Sequence, residues 1–158
     1  MCLNGIRCAS SYIWKKSLAP MREINFRTKH INIKCFPKGD KQVSALLSKP
    51  KDMRNALLEK KLKKIIGNEI FLSSIGNNHL GIKMQSVDKV DLNMLYKKIE
   101  KLIKSLDINL SIFTKKDKFV QIRTFENGVG ETLSCGSAAL CVASHFIKDK
   151  AIKIKSFG

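Results

Sequence analysis

Apolar and polar residues recur with a period of two along some stretches and of three to four along others, so the chain reads as strand and helix in alternation. From Ile24 to Ile33 the segment INFRTKHINI alternates as a half-buried strand should, and KCFP extends it to Pro37. PKGDK supplies a turn, and QVSALLS reads as the returning strand. Lys49 to Lys64 is charge-rich, with Pro50 at its start and helical spacing at Met53, Leu57, Leu58, Leu62 and Ile65. NEIFLSSIGNNHLGIKM reads as strand, Gly-Asn turn, strand. Asp91 is an N-cap for a helix whose stripe is Leu92, Leu95, Ile99, Leu102, Ile103 and Leu106. INLSIFT and FVQIRTF follow as strands around KKDK, and ENGVGETLS loops back as a strand toward Cys135.

The two ends of the chain repeat one another. MCLNGIRC and SCGSAALC each set a second cysteine six positions after a first, with small and polar residues between. An offset of 133 lays Cys2 on Cys135, Cys8 on Cys141, Ser11 on Ser144 and Lys15 on Lys148. Each copy then runs through a helix-like segment and a Lys-rich stretch into an apolar alternation, REINFR in one and KAIKIK in the other. The shared order predicts an α/β (α+β) protein of two pseudo-symmetric lobes related by duplication.

Composition narrows the function. The 158 residues, 44% hydrophobic, suffice for one sizeable domain or two small lobes. A net charge of +17 ordinarily points to an anionic partner, but the excess is lysine spread along the chain. Only five arginines occur, Arg7, Arg22, Arg27, Arg54 and Arg123, although arginine is the residue whose planar fork suits phosphates and base edges. The lysines therefore read as solvated faces, and nucleic acid as an unfavoured partner. The most apolar stretch, LSCGSAALCVASHFI, is too short and too polar to span a bilayer. With no membrane segment or leader in view, a cytosolic protein is expected. Five cysteines without a C-x-x-C spacing argue against a disulfide scaffold or zinc ribbon.

The first cysteine of each repeat precedes small residues: Leu3, Asn4 and Gly5 in one, Gly136, Ser137 and Ala138 in the other. Such residues leave the first-turn N–H groups of a helix accessible, and those groups make an anion site that also favours a thiolate. Two lobes facing one another would bring two helix N-termini to one carboxylate and two thiols to opposite sides of the adjacent carbon. One thiolate then removes a proton and the opposite thiol returns one, without an electron-sink cofactor. The pair would titrate as a coupled unit.

CLNGIRC, IGNNHLGI and FENGVGETLSCGSAALC resemble, in order, the motifs of diaminopimelate epimerases, with an amphipathic helix and the Ile108-Asn109 pair between the last two. That resemblance implies a curved, mostly antiparallel sheet around a central helix in each lobe. It also implies a cofactor-independent isomerase interconverting LL- and meso-diaminopimelate in lysine and peptidoglycan biosynthesis, with no metal and a small-molecule amino-acid substrate as partner. It is compatible with a homodimer. By resemblance Cys2 and Cys135 are the acid–base pair. Backbone groups at Leu3, Asn4, Gly136 and Ser137 hold the α-carboxylate, and Asn77 and Asn109 bind substrate. His79 and Glu126 complete the catalytic set, tuning the thiols and contacting the amino group. The implied division is 1–48 as the remainder of an N-terminal lobe, 49–70 as an inter-lobe segment and 71–158 as a C-terminal lobe incomplete at its end.

Three departures accompany the resemblance. Leu3 stands where the family usually has glycine, adding a side chain beside a backbone donor. Asn127 stands where the family has an arginine that holds the distal carboxylate, and an amide makes no charge-assisted bidentate contact. The start of the first lobe and the last strands of the second are expected to be missing, as in a fragment or truncated reading frame. Rivals are a racemase acting on an amino acid without a distal carboxylate, an inactive remnant, and a lysine-rich nucleic-acid-binding module. Cys8, Cys35 and Cys141 are expected to be buried and inert, and His30 and His145 structural. The glycines of GVGET serve a backbone turn, since no Walker lysine follows.

Overall fold

The computed structural model describes residues 2–20, 22–29, 31–39, 42–146 and 151–156. The chain divides between Lys49 and Pro50 into two units.

In the first unit, Cys2 is the N-cap of a helix, α1 (Leu3–Lys15), whose buried residues Leu3, Ser10 and Trp14 fall on one stripe. α1 packs on two strands of an antiparallel sheet, β2 (Asn32–Lys38) and β3 (Gln42–Leu46), which continues to β1 (Ile24–Arg27) in the order β1-β2-β3. The single strand expected from Ile24 to Pro37 is thus two strands, paired Ile24 to Cys35 and Arg27 to Asn32. Thr28 turns the chain. Its hydroxyl donates to the Ile31 carbonyl at 2.7 Å and accepts from the Ile31 amide at 3.0 Å, closing a side-chain-made turn. Ile33 and Cys35 are the fully buried positions of β2.

The second unit starts with β4 (Lys51–Asp52) and α2 (Ala56–Ile66), then β5 (Ile70–Ser74) and β6 (Asn78–Lys83). There follow α3 (Leu92–Ile103), a 3-10 turn at Lys104–Leu106, β7 (Ile108–Lys115), β8 (Val120–Glu126), β9 (Gly130–Thr132), α4 (Gly136–Phe146) and β10 (Ile154–Lys155). The strands form one mixed sheet in the order β10-β8-β7-β6-β5-β4, with β9 added to β8. Pairing is antiparallel except for β6 with β7 and β8 with β10. The parallel β6–β7 pair needs a crossover, and α3 supplies it.

Helices cover both faces of this sheet. On one, Leu72, Leu80, Ile82, Ile108, Leu110 and Ile112 pack with Leu58 and Leu62 of α2 and with Leu92, Tyr96, Ile99 and Ile103 of α3. The Asp91 carboxylate caps α3 by accepting from the Met94 amide at 2.8 Å. The expected apolar stripe holds at Leu92, Ile99 and Ile103, whereas Leu106 lies past the helix and is 42% exposed. On the other face Phe113, Val120 and Ile122 pack with Ala138 and Val142 of α4. The Phe71 ring lies across Gly81, its partner on β6, and stacks on His145 of α4 at 4.7 Å. His145 also meets Glu69 at 3.2 Å, so its surroundings are those of a packing residue. His30 lies outside the described residues, as do Asp40 and Lys41 of the expected turn and Lys148 of the repeat. Among the described residues no helix is long and apolar enough to cross a membrane.

A Cβ on residue 81 would collide with the Phe71 ring. Gly81→Ala should therefore destabilise the second unit by about 1–3 kcal/mol. Urea unfolding followed by circular dichroism should show the loss. Phe71→Leu in the same chain should recover part of it, since the two side chains would be in contact.

Candidate active site

Cross-strand register builds the site. Successive side chains of a strand alternate between faces, so residues opposite the apolar α2/α3 face point toward α4. On that second face Ser73 pairs with His79 across β5–β6, and His79 with Asn109 across β6–β7. Glu126 continues the row on β8, one residue past the Leu110–Phe125 pair. Four polar residues from four neighbouring strands thus cross one end of the sheet. The first turn of α4 meets this row: the Ser137 hydroxyl is 3.0 Å from His79 Nε2 and 3.4 Å from Cys135 Sγ.

Each member of the row has a defined environment. Ser73 donates to the Lys51 carbonyl at 3.2 Å. Asn109 donates to the Asn78 carbonyl at 3.2 Å and accepts from the Asn127 amide at 2.9 Å, bracing β6 against the end of β8. Thr132 of β9 donates to Glu126 Oε1 at 2.8 Å, fixing that carboxylate. Asn77 lies half-buried in the turn between β5 and β6, its carbonyl accepting from the Ile75 amide. Asn127 is engaged within the unit. Its Oδ1 accepts from the Tyr96 hydroxyl at 2.7 Å, and its Nδ2 donates to Asp107 Oδ1 at 3.0 Å and to the Lys104 carbonyl at 3.4 Å.

The electrostatics are governed by burial. Burial pushes the Cys135 thiol up, and the negative charge of Glu126 adds to that shift. Hydrogen bonds from the Ser137 hydroxyl and from the Ala138 and Ser137 amides act in the opposite direction. The helix N-terminus therefore stabilises the thiolate as its position suggests, but desolvation outweighs it. Cys141 is pushed up to about 11 by burial, leaving a protonated, unreactive thiol. His79 is 1% exposed, and burial pulls it down to about 4, so its ring is neutral near pH 7. Its Nδ1 is buried with no hydrogen-bond partner among the described residues.

In the first unit, Cys2 is exposed and its Sγ accepts from the Gly5 amide at 3.3 Å, the N-cap role usually given to an oxygen. Leu3 is buried and Asn4 exposed. Cys35 and Cys141 are buried, but Cys8 is exposed, contrary to expectation, because it falls off the Leu3-Ser10-Trp14 stripe of α1. Among the described residues no cluster of His, Cys, Asp and Glu could hold a metal ion. Sequence reasoning assigned Ser137 a backbone role only; its hydroxyl bridge to His79 depends on register between α4 and β6, which no local pattern carries.

The fold is that of a PhzF-type α/β protein. A phenazine biosynthesis protein PhzF family structure from Enterococcus faecalis aligns with 92% of this chain and 55% of its own, at a TM-score of 0.50 and 12% identity. In sequence the chain is similar to diaminopimelate epimerases over nearly its whole length. That of Buchnera aphidicola subsp. Acyrthosiphon pisum (strain 5A) is 28% identical over 162 residues, covering 96% of this chain and 57% of the relative. That of Wolbachia sp. subsp. Drosophila simulans (strain wRi) is 29% identical over 157 residues, covering 90% and 58%. That of Azotobacter vinelandii is 26% identical over 154 residues, covering 90% and 55%. The chain spans little more than half the length of these relatives. No family model matches it.

His79 sets a pH dependence of stability. Its folded-state pKa, about 4, lies below the unbound value of 6.5, so between those values the unfolded chain binds more protons than the folded one. Stability is full above pH 6.5 and falls as pH drops toward 4. The loss attributable to this ring is at most about 3 kcal/mol. Urea titrations across that range should show it, and His79→Gln should flatten the dependence.

Proposed function

We propose that this chain carries the acid–base machinery of a cofactor-independent amino-acid isomerase that interconverts LL- and meso-diaminopimelate. The observation that carries the reading is the meeting of Cys135, Ser137, His79 and Glu126 at the N-terminus of α4, all from the motifs that resemble the epimerases. The names of the sequence relatives support the substrate. Each unit is read as the remainder of one lobe, with one active cysteine at the head of its helix.

The chemistry assigns a thiol to each face of the substrate α-carbon. One cysteine, as thiolate, takes the α-proton; the other, as thiol, delivers a proton from the opposite side, and the configuration inverts. First-turn amides of α4 at Gly136 and Ser137 hold the α-carboxylate and stabilise the negative charge that develops beside it, as Leu3 and Asn4 do at the head of α1. Because Cys135 has its pKa raised, it is suited to arrive as the proton-bearing partner. Glu126, held by Thr132, offers a carboxylate to the substrate ammonium group. Asn77 and Asn109 line the same end of the sheet as further substrate contacts.

A second reading is favoured by Asn127. Its amide is engaged by Tyr96, Asp107 and Lys104, at the position where the epimerases use arginine to grip a distal carboxylate. A racemase acting on an amino acid without that group would need no such grip.

Incubation with diaminopimelate in deuterium oxide should place solvent deuterium at the α-carbon, detected by mass spectrometry. Exchange with another amino acid and none with diaminopimelate would favour the racemase. Cys2→Ser and Cys135→Ser should each lower stereoinversion by at least about 100-fold. Normal turnover by either variant would end the two-thiol mechanism.

A further inference from the structure

We propose that the Ser137 hydroxyl is the conduit by which Cys135 exchanges its proton with His79, so that Ser137 and His79 are positioning residues for the thiol. The role deepens, and rests on, the isomerase reading above. The contacts are 3.4 Å from Sγ to Oγ and 3.0 Å from Oγ to Nε2, and Ser137 and His79 are only 2% and 1% exposed.

A serine hydroxyl both donates and accepts, which gives the triad two arrangements. In one, the Cys135 thiol donates to Oγ while the hydroxyl donates to Nε2. In the other, the hydroxyl donates to the Cys135 thiolate while Nε2–H donates to Oγ. Passing from the first to the second breaks the S–H bond, forms a new O–H bond at Ser137 and transfers the original hydroxyl proton to Nε2. Thiol and imidazole become thiolate and imidazolium, and nothing is oxidised or reduced. A hydrogen bond at the second ring nitrogen normally fixes which nitrogen is bare. Among the described residues His79 Nδ1 has no such partner to commit Nε2 to one role. Burial keeps the resting ring neutral, so the first arrangement is the dominant one and the thiolate–imidazolium arrangement the minor one.

The other titratable groups bearing on Cys135 are Glu126 of β8, which raises its pKa, and Cys141 of α4, whose own pKa is raised by Cys135. β5 contains no charged residue, and Lys83 of β6 and Lys115 of β7 stand at the opposite ends of their strands from His79 and Asn109. Arg123 of β8 is bound to Glu131.

Iodoacetamide alkylation of the intact chain, read cysteine by cysteine by peptide mass spectrometry across pH, tests the proposal without requiring turnover. Its outcome is therefore separable from that of the deuterium experiment. Ser137→Ala should slow alkylation of Cys135 near pH 8 about tenfold and raise the midpoint of its pH profile by about one unit. Alkylation of the exposed Cys2 and Cys8 should not change. Ser137→Thr, which restores a hydroxyl, should keep the original profile. His79→Gln should shift Cys135 in the same direction, and the double variant should go no further than Ser137→Ala alone. Unchanged Cys135 profiles in Ser137→Ala and His79→Gln, or additive shifts in the double variant, would overturn the proposal. If Ser137→Ala opens the fold, buried Cys35 and Cys141 will become alkylated, and the His79→Gln profile alone then decides in the same way.

Discussion

The second unit depends on a sheet buried on both faces. A strand with one solvated face can keep its polar residues in water, but β6 and β7 have helices above and below, so apart from Lys83 and Lys115 at their ends their side chains enter packed layers. Burying a polar group without a partner costs free energy, which restricts where polar residues can stand. Thr114, on the face of β7 away from α4, donates to the Gln85 carbonyl, but most of these residues are collected toward one end of the α4 face. Ser111 and Thr124 satisfy each other at 3.1 Å within that layer, and the row from Ser73 to Glu126 lies one pair beyond them. The site is the place where the sheet's two-residue period meets the first turn of α4.

The same requirement explains how the surrounding loops are held. Arg123 points to the α3 side of β8 and is 14% exposed. It grips Glu131 of β9 with two bonds, at 2.6 and 2.9 Å, and donates to the carbonyls of Val87 and Val90. One guanidinium thereby joins the connection before α3 to the strand that follows Glu126, and its pKa is raised by Glu131. β9 in turn carries Thr132, the donor that fixes Glu126. Most other ion pairs, such as Lys34–Glu23 and Lys104–Glu100, are well exposed and contribute little to stability. The lysine excess is thus a surface property, whereas the one arginine in this network organises the approach to the site.

Local pattern carried much of this fold and little of its register. The α3 helix, its Asp91 cap and the β5–β6 hairpin were legible because each is set by contacts within a few residues. The β1–β2 hairpin was not, since Thr28 to Ile31 contains neither glycine nor proline and the apolar alternation runs on through it; Thr28 makes the turn with its own side chain. The parallel pairing of β10 with β8 joins residues more than thirty apart and leaves no periodic trace. At the site, the motifs named Cys135, His79 and Glu126, but a helix N-terminus alone suggested a thiol shifted toward its ionised form. The shift runs the other way because desolvation depends on what packs above the cysteine, and that is a tertiary quantity.

The two cysteines at the helix heads, matched in the sequence repeat, differ in their donors. Cys2 accepts from a backbone amide, a group that can only donate and whose direction is set by α1. Cys135 also receives backbone amides, but its closest side-chain partner is a hydroxyl that can reverse, backed by a ring nitrogen that can also reverse. A group held by fixed donors keeps one hydrogen-bonding direction, whereas a thiol beside a hydroxyl and a ring nitrogen can sit in either direction of the chain of bonds. Each end of the chain carries a cysteine directly before a helix. The β6 strand, which brings His79 beneath α4, is what makes the second cysteine different in kind.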